Sequence, residues 1–185
     1  ANRPENAEES EDTDRQKSAE EQESAGQQPQ PQQAAPTSVN GKGNGVFGNT
    51  ITVINNFANT VLNLTLRDVK IDVSDTGDQY DWDQKGKAAL SVQGKGNVEI
   101  ELDGNNELKS GVQRAGLEKN TSTSTGTLTL KDDKEAGSGS LKATGGKYGA
   151  GIGGGEYYSG ENITITGGRV NATGGWGSAG IGGGN

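Results

Sequence analysis

From Val39 onward the chain is organised by short alternations of aliphatic and polar residues. VLNLTL (61–66), NVEIEL (97–102), GTLTLK (126–131) and ENITITGG (161–168) each place Val, Leu or Ile at every second position. That period of two is the signature of half-buried strands. No 3.6-residue apolar period occurs anywhere in 40–185, so no helix is expected. Two further short apolar pieces follow each alternating stretch. After the first come VKIDV (69–73) and KAALSV (87–92), after the second NELKSG (106–111) and RAGLEKN (114–120), after the third GSLKATGG (139–146) and GAGIGGG (149–155). The last units are nearly copies: LKATGGKYGAGIGGG (141–155) returns as VNATGGWGSAGIGGG (170–184), 29 residues later.

Three short strands per unit, repeated in the same order, predict a β-solenoid or parallel β-helix of four to five turns over 40–185. With turns stacked about 4.8 Å apart, the domain would be roughly 20–25 Å tall. Three inward ladders are expected: Leu66/Ile100/Leu130/Ile165, Ile71/Leu108/Leu141/Val170 and Leu90/Leu117/Ile152/Ile181. Such a core is narrow, so the 28% of apolar residues in the chain suffice for it. Glycine fits the corners, where the chain turns sharply between faces.

Composition divides the chain. Residues 1–38 contain no Leu, Ile, Val, Phe, Tyr or Trp, hold all four prolines, and carry only one of the 32 glycines, Gly26. Such a segment has no apolar surface to offset its ordering entropy, so 1–39 is expected to be a disordered acidic, Gln- and Pro-rich tether. The chain stops at GIGGGN, inside a repeat. A solenoid end without a cap leaves unpaired strand edges, so either a truncation or end-to-end pairing with another copy is expected.

The absence of His and Cys excludes Ser-His-Asp and Cys-His triads, zinc fingers and disulfide frameworks. A net charge of −8 argues against nucleic acid as a partner, and no apolar run is long enough for a membrane span. Gly149, Gly151 and Gly154 fit G-x-G-x-x-G, but without a following helix they read as a corner rather than a nucleotide site. Asp75, Asp78, Asp81 and Asp83 crowd one loop, DTGDQYDWDQKGK, and are candidate ligands for Ca²⁺; a solvated loop with Lys85 and Lys87 as counter-charges is the competing reading. Tyr80, Trp82, Tyr148, Tyr157, Tyr158 and Trp176 all fall outside the ladders. Aromatics on a rigid scaffold suit stacking against the apolar face of a sugar ring, or else merely cover the corners. No carboxylate pair stands out for glycoside hydrolysis, so binding without catalysis is expected. Asn63, Asn120, Asn162 and Asn171 open N-x-S/T triplets.

The run LDGNNELKSGVQRAGLEKNTSTSTGTLTL, with GSLKATGG…GAGIGGG and NITITGGRVNATGG…AGIGGG after it, resembles the carbohydrate-binding-domain surface proteins of anaerobic Gram-positive bacteria, over about 60–185. The resemblance implies a right-handed parallel β-helix on a secreted or cell-surface protein. It also implies a polysaccharide or surface glycan as partner, acidic in some members, sometimes with calcium, and it supplies no catalytic residues. The function expected is a non-catalytic carbohydrate-binding or adhesin module. The alternatives are a structural spacer or self-assembling fibre unit and, further off, a polysaccharide lyase or hydrolase.

Overall fold

The computed structural model describes the backbone of residues 37–40 and, in full, residues 46–134 and 138–185. All of them belong to one compact unit, Gln33–Asn185. The tether expected at 1–39 lies outside the described residues except for its last three, which open the first strand.

Three parallel sheets carry the fold, and no helix occurs among the described residues. The first sheet holds β1 (Thr37–Asn40), β3 (Val61–Arg67), β6 (Asn97–Asp103), β9 (Leu128–Lys131) and β12 (Ile163–Ile165). The second holds β4 (Lys70–Asp72), β7 (Asn105–Lys109), β10 (Ser140–Thr144) and β13 (Arg169–Thr173). The third holds β2 (Ile51–Asn55), β5 (Leu90–Gly94), β8 (Leu117–Glu118), β11 (Ile152–Gly153) and β14 (Ile181–Gly182). From β3 onward the chain visits the sheets in the order first, second, third, four times over. A partial circuit precedes these, in which Phe47 bridges Ile71 between β1 and β2. The chain is a parallel β-helix.

The strands form where the alternation is. Leu64, Ile100 and Leu130 point inward and are buried, while Glu99 and Lys131 face out and pair at 2.9 Å. Each fully buried Leu or Ile stabilises by about 1.5–3 kcal/mol, and a short strand supplies two or three. Of the expected ladders the third is in register, Leu90 to Leu117 to Ile152 to Ile181, and Ile51 extends it.

The other two need correction. In the first sheet Ile100 sits on Leu64, not Leu66; Leu66 pairs with Leu102 in a ladder of its own. In the second, Leu108 sits on Ala143, and Leu141 faces Asn106. The reason for that slip is the corner between the first and second sheets. There Asn106, 3% exposed, accepts the Val69 N–H and donates to the carbonyls of Asp103 and Ser140. Backbone satisfaction at this corner sets the register two residues from where side-chain likeness placed it.

At the end of the third sheet Gly153 and Gly182 pair directly, both with left-handed φ, 129° and 132°. A Cβ at Gly153 would meet the Gly182 carbonyl, so close approach between turns as well as conformation demands glycine there.

Candidate functional site

The corner between the second and third sheets repeats in register through all four circuits. Five residues before each paired aliphatic of the third sheet stand Lys85, Val112, Lys147 and Trp176. One position later stand Gly86, Gln113, Tyr148 and Gly177. Rung-to-rung bonds hold this alignment: Gly86 N–H to Val112 O at 2.9 Å, Gln113 N–H to Lys147 O at 2.7 Å, and Gly175 N–H to Gly149 O at 2.9 Å.

In the first circuit this corner is a long loop, 75–87, which folds over its neighbours. The Thr76 hydroxyl accepts the Lys87 N–H and the Thr76 carbonyl accepts that of Val112, clamping the base of the loop to the next turn. The loop carries Trp82 as far as the third circuit, where its ring lies 5.4 Å from that of Tyr148 at an interplanar angle of 18°. Trp82 also lies 6.4 Å from Tyr157 at 17°. Tyr148 meets Trp176 edge-on at 5.7 Å and 86°. Lys147 Nζ stands 4.9 Å from the Tyr148 ring centre and 5.8 Å from that of Tyr80. Near-parallel rings at 5.4–6.4 Å are slid past each other rather than eclipsed, which leaves ring face uncovered. Trp82 is 52% exposed and Trp176 69%. Five of the six aromatics singled out from the sequence therefore converge into one shelf, and Tyr158 makes no ring contact with them.

Two rings of the shelf sit on strained backbone. Tyr148 has φ 69° and Tyr157 φ 62°, in the left-handed region that costs a residue with a Cβ about 1–2 kcal/mol. The next circuit places Gly177 where Tyr148 stands, so the turn itself does not require tyrosine. Bulky residues held in this conformation concentrate at functional sites.

Beneath the shelf is a buried polar layer that the sequence did not announce. Glu118 lies on the outward side of β8 yet is 2% exposed. Its carboxylate pairs with Arg114 at 2.7 Å and accepts the Ala115 N–H at 3.3 Å. Burial pushes the Glu118 carboxyl above the ordinary glutamate range, while the Arg114 charge, the Ala115 N–H and Lys85 pull it back. Glu156, also buried, is raised by the same desolvation and opposed by Lys85. Its N–H is held by Gln113 O at 3.0 Å. An outward strand position, as for Glu118, and a turn, as for Glu156, normally read as solvated, so no sequence signal marked these carboxyls as covered. Lys147 was legible only as the residue in register with Trp176.

The acidic loop is shaped by bonds to its own carboxylates. Asp78 accepts the Tyr80 N–H, and Asp81 accepts the Asp83 N–H and the Gln84 side-chain amide. These are turn-forming bonds that shape the loop under Trp82. Among the described residues no three acidic side chains, Asp75, Asp78, Asp81 and Asp83 included, are grouped to hold a metal ion. Of the N-x-S/T asparagines, Asn63 and Asn120 are buried, and Asn162 and Asn171 are exposed.

A family model described as a beta helix repeat matches residues 136–156 and 163–185, which carry β10 and β11 of the third circuit and all three strands of the fourth. No curated protein and no solved structure matches the chain. No helix among the described residues is long and apolar enough to cross a membrane.

Proposed function

We propose that this β-helix is a non-catalytic carbohydrate-binding module of a secreted or cell-surface protein, and that the shelf of Tyr80, Trp82, Tyr148, Tyr157 and Trp176 is its binding surface. The observation that carries the reading is the convergence of rings from three different circuits, most of them exposed, with Tyr148 kept on left-handed backbone at a corner position where the next circuit uses Gly177. Flat, uncovered ring faces on a rigid support match the C–H face of a pyranose, and the loop's Asn, Asp and Lys groups suit its hydroxyls.

A glycan array probed with the full chain, with and without calcium, tests this. Binding that falls at least tenfold in Trp82→Ala supports the reading. An array on which nothing binds, or binding unaffected by that change, overturns it, and release of shortened product would mark an enzyme instead.

A further inference from the structure

The rings of the shelf rest on one another, and the segment that brings Trp82 to them is bonded mainly to itself. The Asp78 N–H bonds to Gln84 O at 2.9 Å and the Gln84 N–H to Asp81 O at 3.1 Å. The Asp78 carboxylate accepts the Tyr80 N–H at 2.8 Å, and that of Asp81 accepts the Asp83 N–H at 3.0 Å and the Gln84 amide at 2.9 Å. Among the described residues no hydrogen bond or ion pair joins 78–84 to the rest of the chain. The tip of the loop is a small body folded on itself.

Its neck is pinned. Thr76 O accepts the Val112 N–H at 3.0 Å, the Gly86 N–H bonds to Val112 O at 2.9 Å, and Lys87 O accepts the Gly111 N–H at 2.9 Å. These bonds fix both arms of the loop to the second circuit. The arms pass each other at Gly77 and Gly86, where a Cβ on Gly77 would run into the Gly86 backbone. Gly77 has φ 82°, and without a side chain it changes φ and ψ at little steric cost. Only Gly77 and Lys85 stand between the neck and the tip. A fixed neck, a permissive residue beside it and a self-contained tip are the parts of a hinge.

The tip meets the corner through its rings, Trp82 against Tyr148 and Tyr157, and Tyr80 with Lys147 Nζ at 5.8 Å. In this closed arrangement the facing sides of Trp82 and Tyr148 are partly taken up by each other. A sugar ring between them needs a carbon contact of about 3.5–4.0 Å on each side, so the two planes must stand about 7–8 Å apart. The ring centres lie at 5.4 Å, so Trp82 has to lift to admit one.

Resting on the carbohydrate-binding reading above, we propose that the 78–84 tip is a jaw that swings about its Gly77 neck, lifts Trp82 from Tyr148 and closes on one sugar ring held between the two aromatics. A jaw touches both faces of its ligand, where a platform touches one. Both faces of a β-linked pyranose present C–H groups when every ring substituent is equatorial, as in gluco- and xylo-configured units. The axial hydroxyl of a manno or galacto unit points a polar group into one of the two aromatics. The ligand class is therefore an all-equatorial, β-linked sugar.

Relaxation dispersion on the isotope-labelled full chain tests the swing, and titration calorimetry tests the fit. Without sugar, the amides of Tyr80, Trp82 and Asp83 and the Trp82 indole are expected to share one exchange rate on the microsecond-to-millisecond scale, while the amides of Leu90 and Val92 in β5 stay flat. At least one of cellotetraose, xylotetraose and chitotetraose is expected to bind about tenfold tighter than mannotetraose and a β-linked galactotetraose, and at saturation to remove the exchange. A tip as flat as β5 overturns the inference, and so does equal or tighter binding of the manno or galacto probe; either result leaves the carbohydrate reading standing. Failure of every saccharide to bind, here and on the array, overturns both.

Discussion

Replacing Gly146 with alanine tests whether the corners are set by contact between turns or only by local conformation. Gly146 has no left-handed φ, so its own backbone would accept a Cβ. The obstacle is the turn above. The new methyl would lie inside the van der Waals envelope of the Gly111 carbonyl, with Val112 N next to it. Both are main-chain atoms, so no side chain can swing away. Relief requires the two turns to part at this corner, and two bonds across the gap then lengthen: Gly146 N–H to Arg114 O at 3.0 Å and Gln113 N–H to Lys147 O at 2.7 Å. Each contributes about 1 kcal/mol net, and overpacking adds about 1–3, so a loss of about 3–5 kcal/mol is expected. Gly183→Ala is the matched control. There the nearest atoms, Tyr158 O at 3.6 Å and Ser159 Cα at 3.9 Å, are at ordinary contact, and the expected change is under about 0.5 kcal/mol. Urea unfolding followed by far-UV circular dichroism measures both. Because a solenoid's stability is close to a sum of turns and their interfaces, amide exchange should accelerate first around 111–116 and 144–150. A Gly146→Ala variant within 0.5 kcal/mol of the parent, or indistinguishable from Gly183→Ala, would refute the reasoning.

Further outcomes follow from the same structure. Tyr148→Gly should cost no more than about 2 kcal/mol, because release of left-handed strain worth about 1–2 offsets much of the two lost ring contacts at about 0.5–1.5 each, yet it should weaken glycan binding at least tenfold; denaturation and titration on one sample decide whether the two effects separate. Ile152→Ala should cost about 2–5 kcal/mol and Ile181→Ala under about 1, since the first is fully buried in the ladder and the second is half exposed; equal losses in urea would contradict the burial. Burial raises the Glu118 carboxyl, so the folded state binds its proton more tightly than the unfolded one. Its contribution is then full below the ordinary value of 4.5 and is lost as pH rises through the higher folded value. Plotted against pH, the stability of the parent minus that of Glu118→Gln should therefore fall from pH 4.5 upward, and a flat or rising difference would refute this.

The alternation in VLNLTL, NVEIEL and GTLTLK, and the 29-residue return of ATGG…AGIGGG, were enough to read a parallel solenoid with its third ladder in register. They sufficed because strand period and turn period are both properties of spacing, and spacing is written in the chain. The second ladder was misplaced by two residues because its register answers to Asn106 and the carbonyls it bonds, a corner requirement that apolar matching does not see. The six aromatics were legible as ladder-free residues but not as a cluster.

By itself the sequence determined the strand-and-corner repeat, and through it the class of fold. It also identified which aromatic rings were left over from the core. Only the tertiary structure decided that the 75–87 loop crosses two turns to lay Trp82 against Tyr148, and that Glu118, on an outward strand position, is covered. The physical reason is the same for both. Stacked turns bring equivalent positions to within about 4.8 Å whatever their distance along the chain. The path of a long loop, by contrast, depends on contacts such as the Thr76 clamp that exist only once the turns beneath it are in place.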